Sequence, residues 1–173
     1  GQLRHIEKNM AQAQDFEQWK ELALKHDELS GAARWKQVDQ TKLYDYTSIR
    51  IRIDKLRTLR ANHDDQGLLF ALNEGIHGNM GGMGKPMLHT RAQYGTKRLI
   101  EEYIKEISDA LIHISNLDDS VISREVRFEF FRRASHCYGR SALMLSGGGA
   151  LGNFHLGVIK VMMEREILPH VIS

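Results

Sequence analysis

The stretch that most limits what this chain can fold into begins at Ala142. Ala142, Leu143, Met144 and Leu145 form a short continuous apolar run, as in a strand buried on both faces. Ser146 and three consecutive glycines, Gly147, Gly148 and Gly149, follow it. Residues 151–165 then show helical periodicity, with Leu151, Phe154, Val158, Val161 and Met162 available for packing. Leu168, Val171 and Ile172 start a second apolar run. Strand, glycine turn, helix and strand make the first unit of a parallel α/β sheet. One such unit cannot cover both faces of its own sheet, so residues 139–173 are expected to be the start of an incomplete α/β domain.

Everything before residue 139 reads as helical. Residues 3–29 place Leu3, Ile6, Met10, Ala13, Phe16, Trp19, Leu22 and Ala23 mostly three and four apart, which predicts one helix ended by Ser30 and Gly31. A second helix runs from Tyr46 to Arg60, with Ile49, Ile53, Leu56 and Leu59 on one face. Arg50, Arg52, Lys55, Arg57 and Arg60 crowd its remaining surface, which is expected to be solvated; contact with anionic lipid is the alternative. Asp64 and Asp65 start a third helix that buries Leu68, Leu69 and Leu72, with Gly75 at a left-handed end. Residues 77–86 hold four glycines and Pro86 and read as a loop. The loop lacks the Lys-Ser/Thr ending of a phosphate-binding loop, so a structural turn is expected there rather than an anion cradle. Thr96 is expected to cap a long helix to Ser115, with Leu99, Ile100, Tyr103, Ile104, Ile107, Leu111 and Ile114 as a broad apolar face. Residues 116–120 link it to a helix over 123–136 that carries Val126, Phe130, Phe131 and Ala134. The fold class is therefore mainly α: a helical module over residues 1–138, then the opening of an α/β domain over residues 139–173.

Composition narrows the partners. Apolar residues make up 42% and charged residues 27%, as in an ordinary soluble globular chain. The net charge of only +2 points to no nucleic-acid partner. The single cysteine, Cys137, cannot form an internal disulfide and reads as a small buried residue. With no basic-then-apolar leader after Gly1, a cytoplasmic chain, or one peripheral on a lipid surface, is expected rather than a secreted one. Residues 141–159 lack Asp, Glu, Lys and Arg, but they hold five glycines, Asn153 and His155, so no transmembrane helix is expected. The nine histidines show no metal-ligand spacing, and neither a metal nor a cofactor is expected; His77, His89 and His155 read as structural. Arg140 reads as a joint between the helical module and the sheet.

The glycine run is the candidate site. Three glycines after a buried strand free the backbone so that successive amides can converge at the start of the next helix, where the helix dipole favours negative charge. Such a nest serves either a cofactor phosphate or the oxyanion of acyl transfer. Gly147, Gly149 and Gly152 match G-x-G-x-x-G literally. The acidic residue that should follow about 20 positions on in a dinucleotide site has Val171, Ile172 and Ser173 in its place.

The run from Ser146 to Val158 resembles the oxyanion-loop region of patatin-like lipid acyl hydrolases. The upstream chain is similar to a helical domain that precedes the patatin domain in one branch, which includes triacylglycerol lipases of oil bodies and lipid droplets. Tyr44–Tyr46 with Ile49, Gly75–Gly84, Gly95–Ile100 and Tyr138–Gly148 carry that likeness in order along nearly the whole chain. The resemblance implies a Ser–Asp dyad hydrolase of glycerolipid acyl esters, with a glycerolipid or lipid surface as partner and no cofactor. It assigns the oxyanion hole to Gly147, Gly148 and Gly149, and the close turn to Gly152. Leu151 stands where the common pattern has Arg or Lys. The family's G-x-S-x-G nucleophile elbow occurs nowhere in the 173 residues, Ser173 lacks its flanking pattern, and the dyad Asp is missing too. The chain alone is therefore expected to be inactive, the N-terminal part of such a hydrolase. The alternative is a non-catalytic helical module that binds a lipid surface or a protein.

Overall fold

The computed structural model describes residues 1–76, 80–137, 142–143, 152–165 and 171–172. It separates into two units, Gly1–Arg127 and Phe128–Ser173. Helices dominate, as the sequence predicts. The first unit holds α1 (Gln2–Ala11), α2 (Phe16–Ser30), α3 (Ala32–Gln37), α4 (Tyr46–Ala61), α5 (Asp65–Ile76), α6 (Met87–Thr90) and α7 (Arg98–Ser115). Helix α8 (Arg124–Cys137) begins near its end. α7 packs on α3, α4 and α5, while α1 and α3 pack on α2. Ile49, Ile53 and Leu56 of α4, Leu68 and Leu72 of α5, and Leu99, Ile100, Tyr103, Ile107, Ala110 and Ile114 of α7 form the core.

Several helix ends follow from their residues. Gly31 closes α2 with φ 80°, a left-handed conformation that glycine adopts without a Cβ penalty. Asp64 accepts the Gly67 N–H at 2.9 Å and so caps the start of α5. Three ends differ from expectation. The helix predicted over residues 3–29 is broken into α1 and α2, because the Asp15 side chain accepts the Gln18 N–H at 2.8 Å and starts a new helix. Gln18 in turn accepts from the Gln14 N–H at 2.9 Å, close to a capping box. Gly75 lies inside α5, which runs on to Ile76. Thr96 does not cap α7: its hydroxyl donates to the Leu88 carbonyl, and Lys97 holds the N-cap position without a side-chain cap bond.

Two buried charges fix the segment before α7. Asp27, 1% exposed, accepts the Gln93 N–H at 2.7 Å, the Tyr94 N–H at 3.2 Å and the Lys36 ammonium at 3.2 Å. Lys97, also 1% exposed, donates to the Trp35 carbonyl at 2.7 Å and to the Val38 carbonyl, with its nitrogen 4.5 Å from the Trp35 ring centre. Burial holds its ammonium below the usual lysine pKa, and the Arg91 charge adds to that effect. The main chain from 93 to 97 is thus tied to α2 and α3 although it forms no helix or strand itself.

In the second unit, β1 (Ala142–Leu143) and β2 (Val171–Ile172) pair in parallel, Ala142 opposite Val171 and Leu143 opposite Ile172. Helix α9 (Gly152–Glu164) lies between them in the chain, the expected strand–helix–strand order. Val158 and Val161, expected to pack, are exposed, since two short strands offer little apolar surface. Among the described residues no helix is long and apolar enough to cross a membrane.

Replacing Asp27 by Ala strands two backbone N–H groups and the Lys36 charge. The expected loss is about 3 kcal/mol in urea unfolding; a midpoint equal to that of the natural sequence would show that the clasp contributes nothing.

Candidate functional site

Gly147, Gly148 and Gly149 lie outside the described residues, as do Tyr138, Gly139, Arg140, His77 and Ser173. Gly152 is the first residue of α9. Residues 144–151 connect the C-terminal end of β1 to the N-terminus of α9. In open parallel sheets ligands bind beyond the carboxyl ends of the strands, where helix N-termini favour negative charge.

The basic side of α4 is in part solvated, as expected, with most of its charges paired to carboxylates. Arg50 pairs with Asp39 and with Glu102 of α7, each at 3.0 Å. Arg57 meets Glu106 at 3.2 Å and Glu102 at 3.7 Å. Arg60 donates to Glu106 at 2.8 Å and lies 3.9 Å from Asp109. Lys55 reaches Glu74 of α5 at 3.4 Å. The physical reason is a matching acidic stripe: Glu102, Glu106 and Asp109 follow one another four and three residues apart on α7. Glu106 is only 3% exposed, and the two guanidiniums pair its charge. Arg52 is the exception on α4, with no ion-pair partner among the described residues.

The glycine loop is structural over its described part, as expected. The Gly81 carbonyl accepts the Asp45 N–H at 2.8 Å, so the loop docks on the start of α4. Gly82 has φ 86°, and a Cβ there would sit 3.2 Å from the Leu43 carbonyl oxygen. Met83 is buried, and its carbonyl lies 2.8 Å from His89 Nε2. Tyr44, beside this contact, is 5% exposed, and its hydroxyl has no hydrogen-bond partner among the described residues. Burial first, and the Asp39 charge second, push its pKa from 10.0 to about 12, against the pull of Arg50.

Between α4, α5 and α7 lies a groove of about 490 Å³. Leu56, Ala71 and Ile107 give it an apolar lining, and Tyr103 forms part of its wall. Arg52, Lys55 and Glu74 bring charge to it. The sequence reading missed this groove, together with the buried roles of Asp27, Lys97 and Glu106. For Glu106 a signal was present in the acidic stripe; for Asp27 and Lys97 the partners are backbone groups that no side-chain pattern marks.

The sequence profile of the family described as Domain of unknown function (DUF3336) matches residues 1–136. The chain is similar to Triacylglycerol lipase 5 of Saccharomyces cerevisiae, 34% identical over 161 residues, which is 91% of this chain and 21% of that protein. Triacylglycerol lipase ptl2 of Schizosaccharomyces pombe is 32% identical over 173 residues, 100% of this chain and 27% of its own length. Triacylglycerol lipase SDP1L of Arabidopsis thaliana is 35% identical over 156 residues, 87% of this chain and 19% of its own. The chain thus spans roughly a fifth to a quarter of these relatives. No solved structure matches it.

Glu106→Gln keeps the size but removes the charge between Arg57 and Arg60. A loss of about 2 kcal/mol in chemical denaturation is expected, and an unchanged midpoint would mean that the pairs are worth nothing. Tyr44 titrates higher folded than unfolded, so its contribution is complete below about pH 10 and is lost as pH rises through about 12. Tyr44→Phe is therefore expected to flatten the alkaline fall in thermal stability while changing the neutral-pH value by less than about 1 kcal/mol. Superimposable alkaline curves would contradict this.

Proposed function

The chain belongs to the family described as Domain of unknown function (DUF3336), and on that premise we propose that it is the N-terminal part of a patatin-like serine lipid acyl hydrolase. The observation that carries the reading is the likeness to proteins named triacylglycerol lipases. In the fission-yeast case it covers 100% of this chain and so runs through the glycine turn. The parallel pairing of β1 and β2 around α9 supports it, because that order is how such a turn is held at a helix start.

In this reading residues 1–138 form the helical module and residues 139–173 open the catalytic α/β domain. The backbone amides of Gly147, Gly148 and Gly149 receive the negative charge that develops on the ester carbonyl oxygen as a serine attacks. Gly152 lets the chain turn closely into α9. The serine and its dyad aspartate belong to the parent protein outside these residues, so the 173-residue chain by itself hydrolyses nothing. The substrate is a glycerolipid acyl ester, of the triacylglycerol or phospholipid class, and the reaction needs no cofactor. The protein works in the cytoplasm or peripherally at a lipid surface. Arg50, Arg57 and Arg60 are engaged with α7 carboxylates, which weighs against the alternative in which they dock a non-catalytic module on lipid. Replacing them would report the α4–α7 contact before any lipid binding.

The test is hydrolysis of triacylglycerol and phospholipid by the full-length natural protein. Gly148→Pro deletes one oxyanion donor and is expected to lower kcat by roughly 10²–10³ with little change in KM. Gly148→Ala keeps the N–H and is expected to retain most of the rate. A natural protein without esterase activity, or equal rates for the two variants, would overturn the reading.

A further inference from the structure

We propose that the groove between α4, α5 and α7 binds a fatty acid as its carboxylate, with Arg52 holding the charge and Leu56, Ala71 and Ile107 holding the chain. The volume of about 490 Å³ lies within the range of small-ligand pockets. Its lining is amphipathic in the required sense. Leu56, Ala71 and Ile107 are buried side chains that still face the groove. Of the two cations there, Lys55 is matched by Glu74 at 3.4 Å. That leaves Arg52 as the unbalanced charge, so the site asks for a single negative charge. Arg52 does act on the Asp45 carboxyl, helping to lower its pKa, but Asp45 lies outside ion-pair distance and already accepts two hydrogen bonds from Ser48. A guanidinium meets a carboxylate through two parallel N–H bonds, a geometry that an ammonium cannot match.

Tyr103 adds a hydroxyl donor to the wall of the groove. It is 2% exposed and lines the groove, and its hydroxyl makes no hydrogen bond among the described residues. The hydroxyl oxygen keeps contact with solvent, so it is free to donate to a ligand carboxylate oxygen. The choice of a carboxylate over other amphipathic monoanions rests on the acyl-hydrolase reading, since a fatty acid is what ester cleavage releases. The groove is then a product site on the helical unit, formed entirely by α4, α5 and α7.

The experiment is calorimetric titration of the 173-residue protein with decanoate below its micellar concentration, with decanol and decyl phosphate as comparison probes. Saturable binding of decanoate is expected, with decanol at least about tenfold weaker. Arg52→Gln is expected to weaken decanoate about tenfold, to leave decanol unchanged, and to leave thermal unfolding as in the natural sequence. Tyr103→Phe keeps the packing and is expected to weaken decanoate a few-fold. Arg34→Gln, on α3 and outside the groove, should change nothing. Equal affinities for decanoate and decanol, or equal effects of Arg52→Gln and Arg34→Gln, would overturn the proposal. Tighter binding of decyl phosphate than of decanoate would overturn the fatty-acid assignment. The readout is binding without hydrolysis, so its failure leaves the acyl-hydrolase reading standing.

Discussion

The carboxylate of Glu106, almost fully out of water, can exist there only while Arg57 and Arg60 stay beside it. An unpaired carboxylate in that position would cost several kcal/mol. Apolar contacts between two helices tolerate a shift of register, because one leucine or isoleucine packs much like another. A charge that must find its partners does not. Sliding α7 one turn along α4 would break the present pairs of Arg50, Arg57 and Arg60. The pairing therefore fixes how α4 and α7 lie against each other, and α5 closes on both. The groove between the three helices inherits its shape from that constraint.

The same logic, with backbone groups as partners, governs the approach to α7. Asp27 and Lys97 carry opposite charges and are equally buried, yet neither is satisfied by the other. Asp27 collects the Gln93 and Tyr94 N–H groups, and Lys97 collects the Trp35 and Val38 carbonyls at the end of α3, so the two side chains tie the segment before α7 to α2 and α3.

Much of this was legible in the sequence because helical burial is periodic. Ile49, Ile53 and Leu56 on α4, and Leu99, Tyr103 and Ile107 on α7, announce their buried faces by spacing alone. Gly31 and Asp64 mark helix ends by local chemistry that needs no tertiary information. The break at Asp15 escaped because Ala13 and Phe16 keep the apolar rhythm across it. Thr96 misled for another reason: a hydroxyl at a helix start has a local use, but the Leu88 carbonyl competes for it. The fate of the basic surface of α4 was hidden because its partners on α7 lie about fifty residues along the chain. Periodicity shows that a face is charged and not what stands opposite. In the second unit the strand–helix–strand order was legible, whereas the role of Gly147–Gly149 rests on motif and resemblance alone.

Lys97 also has a chemical consequence. An ammonium with a lowered pKa is ordinarily the lysine that reacts first with an acylating reagent, because more of it is the free amine. Here the nitrogen lies against the Trp35 ring and bonds two carbonyls, in a side chain that is almost fully buried. The exposed lysines of the chain are open to solvent, and they label ahead of it. Its modification therefore records the opening of the α3–α7 contact, and the residue serves as a built-in clock for how often the helical unit comes apart.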